Sequence, residues 1–153
     1  MVEFKTAVLY AAAAAIPAIL LGRDSETIDS LHGYGLDIGR AFQIQDDFLD
    51  LTVPSDELGK QRGSDLVEGK RTIITLHARN QGIDVDALVP PSPSDAEIEA
   101  AVERREDAGS IDFARETAQD LVERGKRRLN VLPQGEPREL LEEIADYLVE
   151  RGY

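Results

Sequence analysis

The sequence predicts an all-α fold, a helical bundle. Hydrophobic residues make up 42% of the 153 residues and are mostly Ala, Leu, Ile and Val, whereas aromatic residues make up only 5%. This composition favours helix packing over a sheet sandwich. Near the carboxyl end, apolar residues recur at the i, i+3, i+4 and i+7 spacing of an amphipathic helix, at Leu140, Leu141, Ile144, Tyr147 and Leu148.

The first predicted helix covers residues 4–21, is bent near Pro17 and ends at Gly22. Its apolar part, residues 11–21, is too short to span a bilayer and contains a proline. No secretory signal is visible, so we expect a cytoplasmic protein that is not transmembrane.

The second predicted helix begins at a capping residue, Asp24 or Ser25, and runs towards residue 51. Three glycines lie within it, and each weakens a helix by roughly 1 kcal/mol relative to Ala. They either break the helix or allow another helix or a ligand to approach closely. These glycines are Gly33, Gly35 and Gly39.

The remaining chain alternates loops with charge-rich helices. A polar loop over 52–63 is followed by a short turn at 64–67, and prolines mark a linker at 89–94. Further helices are predicted over 71–80, 95–108, 111–132 and 137–150. We expect one domain over 1–153, with motif-bearing helices at 1–82, a loop at 83–94 and terminal helices at 95–153.

The net charge of −13 argues against a nucleic-acid partner. Only four of the 17 basic residues are Lys. An acidic, Lys-poor surface is typical of a halophilic protein, because the Debye length falls to about 3 Å at 1 M salt and self-repulsion is screened. The absence of Cys excludes disulfides and thiolate chemistry.

An aspartate cluster lies at the end of the second helix. Asp46 and Asp50 are four residues apart and share one helix face, with Asp47 on its flank. Like charges at this spacing destabilise a helix by about 0.2–0.5 kcal/mol, and Mg²⁺ would compensate them. In so acidic a chain the alternative is a solvated acidic face, but the apolar flanks, including Phe48 and Leu49, indicate a largely buried helix.

Two lysines follow the aspartates. Lys60 and Lys70 are each preceded by a glycine, and Asp65 lies midway between them. Carboxylates and lysines that converge on one place are typical of a metal-bridged polyphosphate site, although each lysine alone could be an ordinary surface charge. A competing interpretation is a non-enzymatic helical bundle that binds divalent ions weakly.

The segments FQIQDDFLD and LGKQRGSDLVEGKRT together resemble the second aspartate-rich region of the trans-isoprenyl diphosphate synthases. Upstream, Phe4-Lys5-Thr6-Ala7 is similar to the Lys-Thr helix of that family. The resemblance covers the first half of the chain, implies the carboxyl-terminal half of an isoprenoid synthase fold, and favours an archaeal geranylgeranyl diphosphate synthase-like relative.

The resemblance also implies a magnesium-dependent prenyltransferase that condenses isopentenyl diphosphate with an allylic diphosphate. Asp46 would bind Mg²⁺ directly, Asp47 and Asp50 would act through waters, and Asp65 would lie behind them. The diphosphate would be held by Lys5, Lys60 and Lys70. Thr6 and Gln43 would face the allylic cation, and Phe42 would line the pocket of the second substrate.

The family's first aspartate-rich motif has no counterpart in these 153 residues, and Met1 resembles an internal methionine of the family. Three interpretations follow: a truncated synthase, a subunit completed by a partner that carries the first motif, or a non-catalytic diphosphate-binding protein. We expect a homodimer or such a complementing subunit.

Other polar residues are assigned structural roles. Asp24 is expected to be a cap, Asp37 a solvated side chain, and His77 a surface or satisfied core histidine. The charged runs 103–107 and 123–128 are predicted to be exposed helix faces.

Overall fold

The computed structural model describes residues 6–53, 62–90 and 93–150. These ranges contain seven α-helices, a short 3₁₀ turn at Leu129–Val131 and no strand, which confirms the all-α prediction. None of these helices combines the length and apolarity that crossing a membrane requires. The helices are α1 Val8–Leu20, α2 Ser25–Thr52, α3 Ser64–Val67, α4 Ile73–Asn80, α5 Asp95–Asp107, α6 Ser110–Arg128 and α7 Glu136–Glu150.

The chain divides into two compact units. The first unit combines residues 1–43 with 117–152, and the second comprises residues 44–116. The boundaries fall within α2 and α6, so each of these helices contributes to both units. The division into one domain with a loop at 83–94 stays a prediction.

In the first unit, glycines allow α1 and α2 to pack closely. A Cβ atom at Gly35 would lie 2.4 Å from the backbone oxygen of Tyr10, and one at Gly39 would lie 2.5 Å from the Cα of Ala7. Side chains at these positions would therefore collide with the α1 backbone. The glycines do not break α2, and at Gly35 and Gly39 they serve helix packing.

The ends of the first two helices follow the predicted residues. Gly22 adopts a left-handed conformation, with φ +63°, directly after α1. Asp24 caps α2, since its carboxylate accepts hydrogen bonds from the Thr27 backbone N–H at 2.8 Å and from the Thr27 hydroxyl at 3.0 Å. Of the two predicted caps, Asp24 is therefore the correct one.

The prediction of a solvated Asp37 is wrong. This side chain is only 2% exposed and accepts three hydrogen bonds in the first unit. The guanidinium of Arg124 donates two, at 2.6 and 3.0 Å, and that of Arg128 donates one at 2.8 Å. Arg124 and Arg128 belong to the charged run 123–128, so they link α6 to α2 and are more than surface charges.

In the second unit, α4, α5 and the first part of α6 contribute a small apolar core. Ser94 caps α5 in a reciprocal capping box with Glu97. His77 is satisfied, as predicted: its Nδ1 is 3.0 Å from the Ser110 hydroxyl, and its ring stacks on Phe113. Buried apolar residues of this core include Ile74, Ala78, Ile98, Ala101, Val102, Ile111 and Ala114.

Candidate functional site

The three aspartates of the cluster differ in depth. Asp46 is exposed, whereas Asp47 is 5% and Asp50 0% exposed. One turn of helix therefore separates a carboxylate that faces solvent from one that is fully buried. Within the described ranges, Asp46 forms no hydrogen bond or ion pair, so its oxygens are available to an external ligand.

The buried Asp50 holds the turn that begins α3. Its two carboxylate oxygens accept hydrogen bonds from the Ser64 hydroxyl at 2.7 Å and from the Asp65 backbone N–H at 2.9 Å. Its backbone oxygen accepts the Gly63 N–H at 2.7 Å. Gly63 has φ +71°, a conformation that a side chain would strain. Asp50 thus fixes the position of Asp65.

Asp65 in turn pairs with Lys70. Asp65 is 5% exposed, and the Lys70 ammonium donates a hydrogen bond to its carboxylate. A second carboxylate, that of Glu68, lies 3.5 Å from the same ammonium. The hydrogen bond to Asp65 raises the pKa of Lys70 above its ordinary value, so the side chain is a cation at neutral pH. It is 42% exposed and therefore accessible to an anion.

Two further predicted residues come together in the first unit. The Thr6 hydroxyl donates a hydrogen bond to the Gln43 side-chain oxygen at 3.1 Å, across 37 residues of sequence. Phe42 packs against Tyr10, with 5.8 Å between ring centroids. Lys5 and Lys60, the other two lysines predicted to hold a diphosphate, lie outside the described residues.

The first unit also holds an apolar cavity of about 450 Å³. Residues of α1, α2 and α7 line it, and the Tyr34 hydroxyl donates a hydrogen bond to the Leu141 backbone oxygen at 2.7 Å beside it. Burial raises the pKa of Tyr34 to about 12, so this hydroxyl keeps its proton at neutral pH. The lining residues are Leu9, Tyr10, Ala13, Ala14, Tyr34, Gly35, Ile38, Leu141 and Ile144.

The donor set of the aspartate cluster suits Mg²⁺. Across the described residues, no three His, Asp or Glu side chains are arranged as a ready-made metal cage. Mg²⁺ does not require one, because it is commonly held by one or two carboxylates, waters and substrate phosphates. Asp46 supplies an exposed carboxylate of this kind. The roles predicted for Asp47, Asp50 and Asp65 at the metal stay predictions.

Sequence reasoning missed two polar residues of the second unit. The sequence pattern predicts no individual role for Ser64, yet its hydroxyl donates a hydrogen bond to Asp50. Arg105 was assigned to an exposed face, yet it is 2% exposed, so that prediction is wrong. The periodicity contains the signal: Ile98, Ala101, Val102 and Arg105 stand at i, i+3, i+4 and i+7, so Arg105 continues the buried stripe of α5.

The sequence is similar to a known protein family and to curated relatives. The sequence model of the polyprenyl synthetase family matches residues 1–104. A geranylfarnesyl diphosphate synthase of Natronomonas pharaonis is 79% identical over 153 residues, which are 100% of this chain and 45% of the relative. The chain thus spans about half the length of the curated relatives it matches.

Solved structures give the same result. A geranylgeranyl pyrophosphate synthetase from the archaeon Geoglobus acetivorans matches with a TM-score of 0.87 and 38% identity, over 98% of this chain and 46% of that one. A geranylgeranyl pyrophosphate synthase of Corynebacterium glutamicum, solved with isoprenyl diphosphate and magnesium, matches with a TM-score of 0.84 and 28% identity, over 99% of this chain and 45% of that one. These relatives are prenyl diphosphate synthases, which are transferases. The chain belongs to the polyprenyl synthetase family.

Proposed function

We propose that this chain is the carboxyl-terminal half of a prenyl diphosphate synthase and binds the diphosphate of an allylic substrate through Mg²⁺. The complete enzyme would condense isopentenyl diphosphate with an allylic diphosphate, with a product in the geranylgeranyl length class. The observation that carries the proposal is the exposed carboxylate of Asp46. One helical turn later, the buried Asp50 binds the Asp65 backbone N–H, and the Asp65 carboxylate pairs with Lys70.

Asp46 is the residue best placed to hold Mg²⁺, because its carboxylate is exposed and uncommitted within the described ranges. The metal would stabilise the negative charge that collects on the pyrophosphate as it leaves. Lys70 would add a point charge on a phosphate oxygen. The relative solved with magnesium and isoprenyl diphosphate supports this pairing of metal and substrate.

The other described residues suit an allylic cation. When the allylic C–O bond breaks, the pyrophosphate takes the electron pair and the carbon skeleton becomes electron-deficient. The Thr6–Gln43 pair offers neutral oxygen dipoles that stabilise a cation without a strong nucleophile. The new C–C bond forms to isopentenyl diphosphate, and the departing pyrophosphate takes the proton that is lost.

We expect condensation to require the first aspartate-rich motif, supplied by an amino-terminal half or by a partner. The exposed apolar side chains of α1 favour this expectation, because an apolar helix face is normally covered by another part of the protein or by a partner. Leu9 is 70% and Ile19 54% exposed, and Leu20 is 80% exposed. A homodimer and a complementing subunit both remain proposals for the assembly, and a cytoplasmic location remains a prediction.

Binding of an allylic diphosphate, such as farnesyl diphosphate, tests the metal site by isothermal titration calorimetry with Mg²⁺ or with EDTA. We expect a Mg²⁺-dependent component of binding that EDTA removes, and a reduction of about tenfold or more in that component for Asp46→Asn. Asp29→Asn is the matched control, because it removes the same charge from an exposed position of the same helix. Equal binding by wild type and Asp46→Asn in Mg²⁺ would contradict the proposal.

The catalytic expectation is tested separately. The chain is incubated with Mg²⁺, isopentenyl diphosphate and farnesyl diphosphate, alone and with a separately purified amino-terminal half of the Natronomonas relative. Product formation only in the mixture supports completion in trans. Product from the chain alone would refute the need for the first motif, and diphosphate binding without product in either case would favour a non-catalytic binding protein.

A further inference from the structure

The second unit contains a buried arginine with no counter-ion among the described residues. Arg105 is 2% exposed, and its guanidinium donates one hydrogen bond, from Nη1 to the Ala101 backbone oxygen at 2.7 Å. Its Nε is the only buried side-chain nitrogen or oxygen of the described residues that lacks a hydrogen-bond partner. It forms no ion pair with a described carboxylate. A buried charge of this kind is costly unless something pairs with it.

Arg105 lines a cavity of about 210 Å³. The cavity walls also carry Lys70, Arg71 and Arg79, against a single carboxylate, that of Asp86. The four cations and one carboxylate give the lining a charge of +3, in a chain whose net charge is −13. A positively charged cavity in so acidic a chain favours an anion as its ligand.

The existing ion pairs leave part of this charge uncompensated. Arg79 donates to both carboxylate oxygens of Asp86, at 2.8 and 2.9 Å, so these two charges cancel. Lys70 is paired with Asp65. Arg71, which is exposed, and Arg105 have no carboxylate partner within the described ranges. Two guanidinium groups therefore remain for a ligand.

The chemistry of the lining selects the class of anion. Guanidinium groups bind phosphate oxygens through parallel N–H donors. The Thr75 hydroxyl, which also lines the cavity, is a further donor to an oxyanion. Because a water molecule takes up about 30 Å³ in the liquid, the cavity has room for an oxyanion of several atoms.

We infer that the cavity around Arg105 is a binding site for a phosphate-class oxyanion, separate from the Mg²⁺-dependent site at Asp46 and independent of Mg²⁺. Inorganic pyrophosphate and the diphosphate head of an isoprenoid are both oxyanions of this class.

Calorimetry in EDTA and potassium acetate tests this site, since EDTA removes the metal on which the Asp46 site depends. Inorganic pyrophosphate and isopentenyl diphosphate are titrated into the full chain. Binding of either ligand supports the site. The ligand with the higher affinity shows whether the site prefers free pyrophosphate or the diphosphate head of an isoprenoid. We expect Arg105→Met to weaken binding by about 10- to 100-fold. Arg104→Met is the matched control, because Arg104 is the adjacent, exposed residue of the same helix.

A melting experiment gives a second readout. Without anion, Arg105→Met should melt at the wild-type temperature or above it, because it removes a buried charge that no described carboxylate neutralises. Pyrophosphate should raise the Tm of wild type but not of Arg105→Met. If Arg105→Met does not fold, Arg71→Gln replaces it, since this exposed substitution leaves the core intact and should weaken binding about tenfold.

Three results would overturn the inference. One is the absence of pyrophosphate and isopentenyl diphosphate binding in EDTA. Another is equal affinity of wild type and Arg105→Met. The third is an equal rise in Tm when potassium chloride replaces pyrophosphate at the same ionic strength. An Asp46→Asn variant that keeps Mg²⁺-dependent farnesyl diphosphate binding would contradict the proposed function alone, because Asp46 does not line the cavity around Arg105.

Discussion

Asp46 and Asp50 belong to one aspartate cluster, yet the structure predicts different consequences when either carboxylate is removed. Asp50 is fully buried and binds the Ser64 hydroxyl and the Asp65 N–H. Asp46 is exposed. We therefore expect Asp50→Ala to destabilise the fold and Asp46→Ala to affect ligand binding only.

The magnitude follows from the hydrogen bonds of Asp50. Alanine leaves the buried Asp65 N–H and the half-buried Ser64 hydroxyl without an acceptor. An unsatisfied buried donor costs about 1–3 kcal/mol, and the hydroxyl costs less because water can reach it. A net loss of about 2–3 kcal/mol is therefore expected. Asp50→Asn should cost only about 1 kcal/mol, because its amide oxygen can accept the Asp65 N–H while the Ser64 hydroxyl rotates to accept. An exposed substitution such as Asp46→Ala should stay within about 0.5 kcal/mol.

Urea unfolding in a fixed concentration of KCl measures these free energies by circular dichroism. Because the chain comprises two compact units, the transition is also followed by tyrosine fluorescence, and coincident curves justify a single free energy. The expected order of destabilisation is Asp50→Ala, then Asp50→Asn, then Asp46→Ala. An Asp50→Ala variant as stable as wild type, or an Asp46→Ala variant equally destabilised, would refute the assignment of structural and ligand-binding roles.

Three further predictions concern the first unit and the whole chain. Asp37→Asn should lower the free energy of unfolding by about 2–3 kcal/mol at pH 7, because it removes a buried partner of two arginines. Burial raises the pKa of Asp37, but its hydrogen bonds with Arg124 and Arg128 outweigh this effect and hold the pKa below its ordinary value. The stabilisation by Asp37 is therefore present above about pH 4 and is lost as the pH falls through the folded-state pKa. The Tm values of the variant and the wild type should converge in acid, and a Tm difference that does not change with pH would contradict this. Gly35→Ala should destabilise the chain by about 1–3 kcal/mol in urea unfolding, because the new Cβ would collide with the α1 backbone. Gly33→Ala should cost less, since its Cβ would meet only the flexible Arg128 side chain. Equal losses would argue against close packing of α1 on α2 at Gly35. The Tm should rise between 0.1 and about 2 M KCl because salt screens the net charge of −13, and a Tm indifferent to salt would refute a halophilic origin.

The sequence predicted the helices well where the causes are local. Gly22 and Asp24 determine a helix end and a helix start through their own backbone and side chain. The aspartate cluster was recognised for the same reason, since its spacing on one helix is a local property. The difference in depth between Asp46 and Asp50 was not, because the partners of Asp50 lie 14 and 15 residues away on a turn whose position depends on tertiary contacts.

The errors concern charged residues whose partners are distant in sequence, or that have no carboxylate partner in the described part of the chain. Asp37 was predicted to be solvated because nothing near it in sequence explains its burial, and Arg124 lies 87 residues away. Arg105 lies among charged neighbours that obscure the apolar stripe it continues. A charged residue on the buried face of an amphipathic helix is exceptional, and periodicity identifies it if the run is analysed face by face.

Lys70 determines how the two anion-binding proposals can be separated. It pairs with Asp65 near the aspartate cluster, and it also lines the cavity around Arg105. A substitution of Lys70 would therefore weaken both sites and could not distinguish between them. Asp46 and Arg105 each belong to one site only, and they differ in their dependence on metal: a carboxylate needs Mg²⁺ to attract a phosphate, whereas a guanidinium does not. Removing the metal from the wild-type chain should thus have the same effect on ligand binding as removing the Asp46 charge, while leaving the site at Arg105 intact.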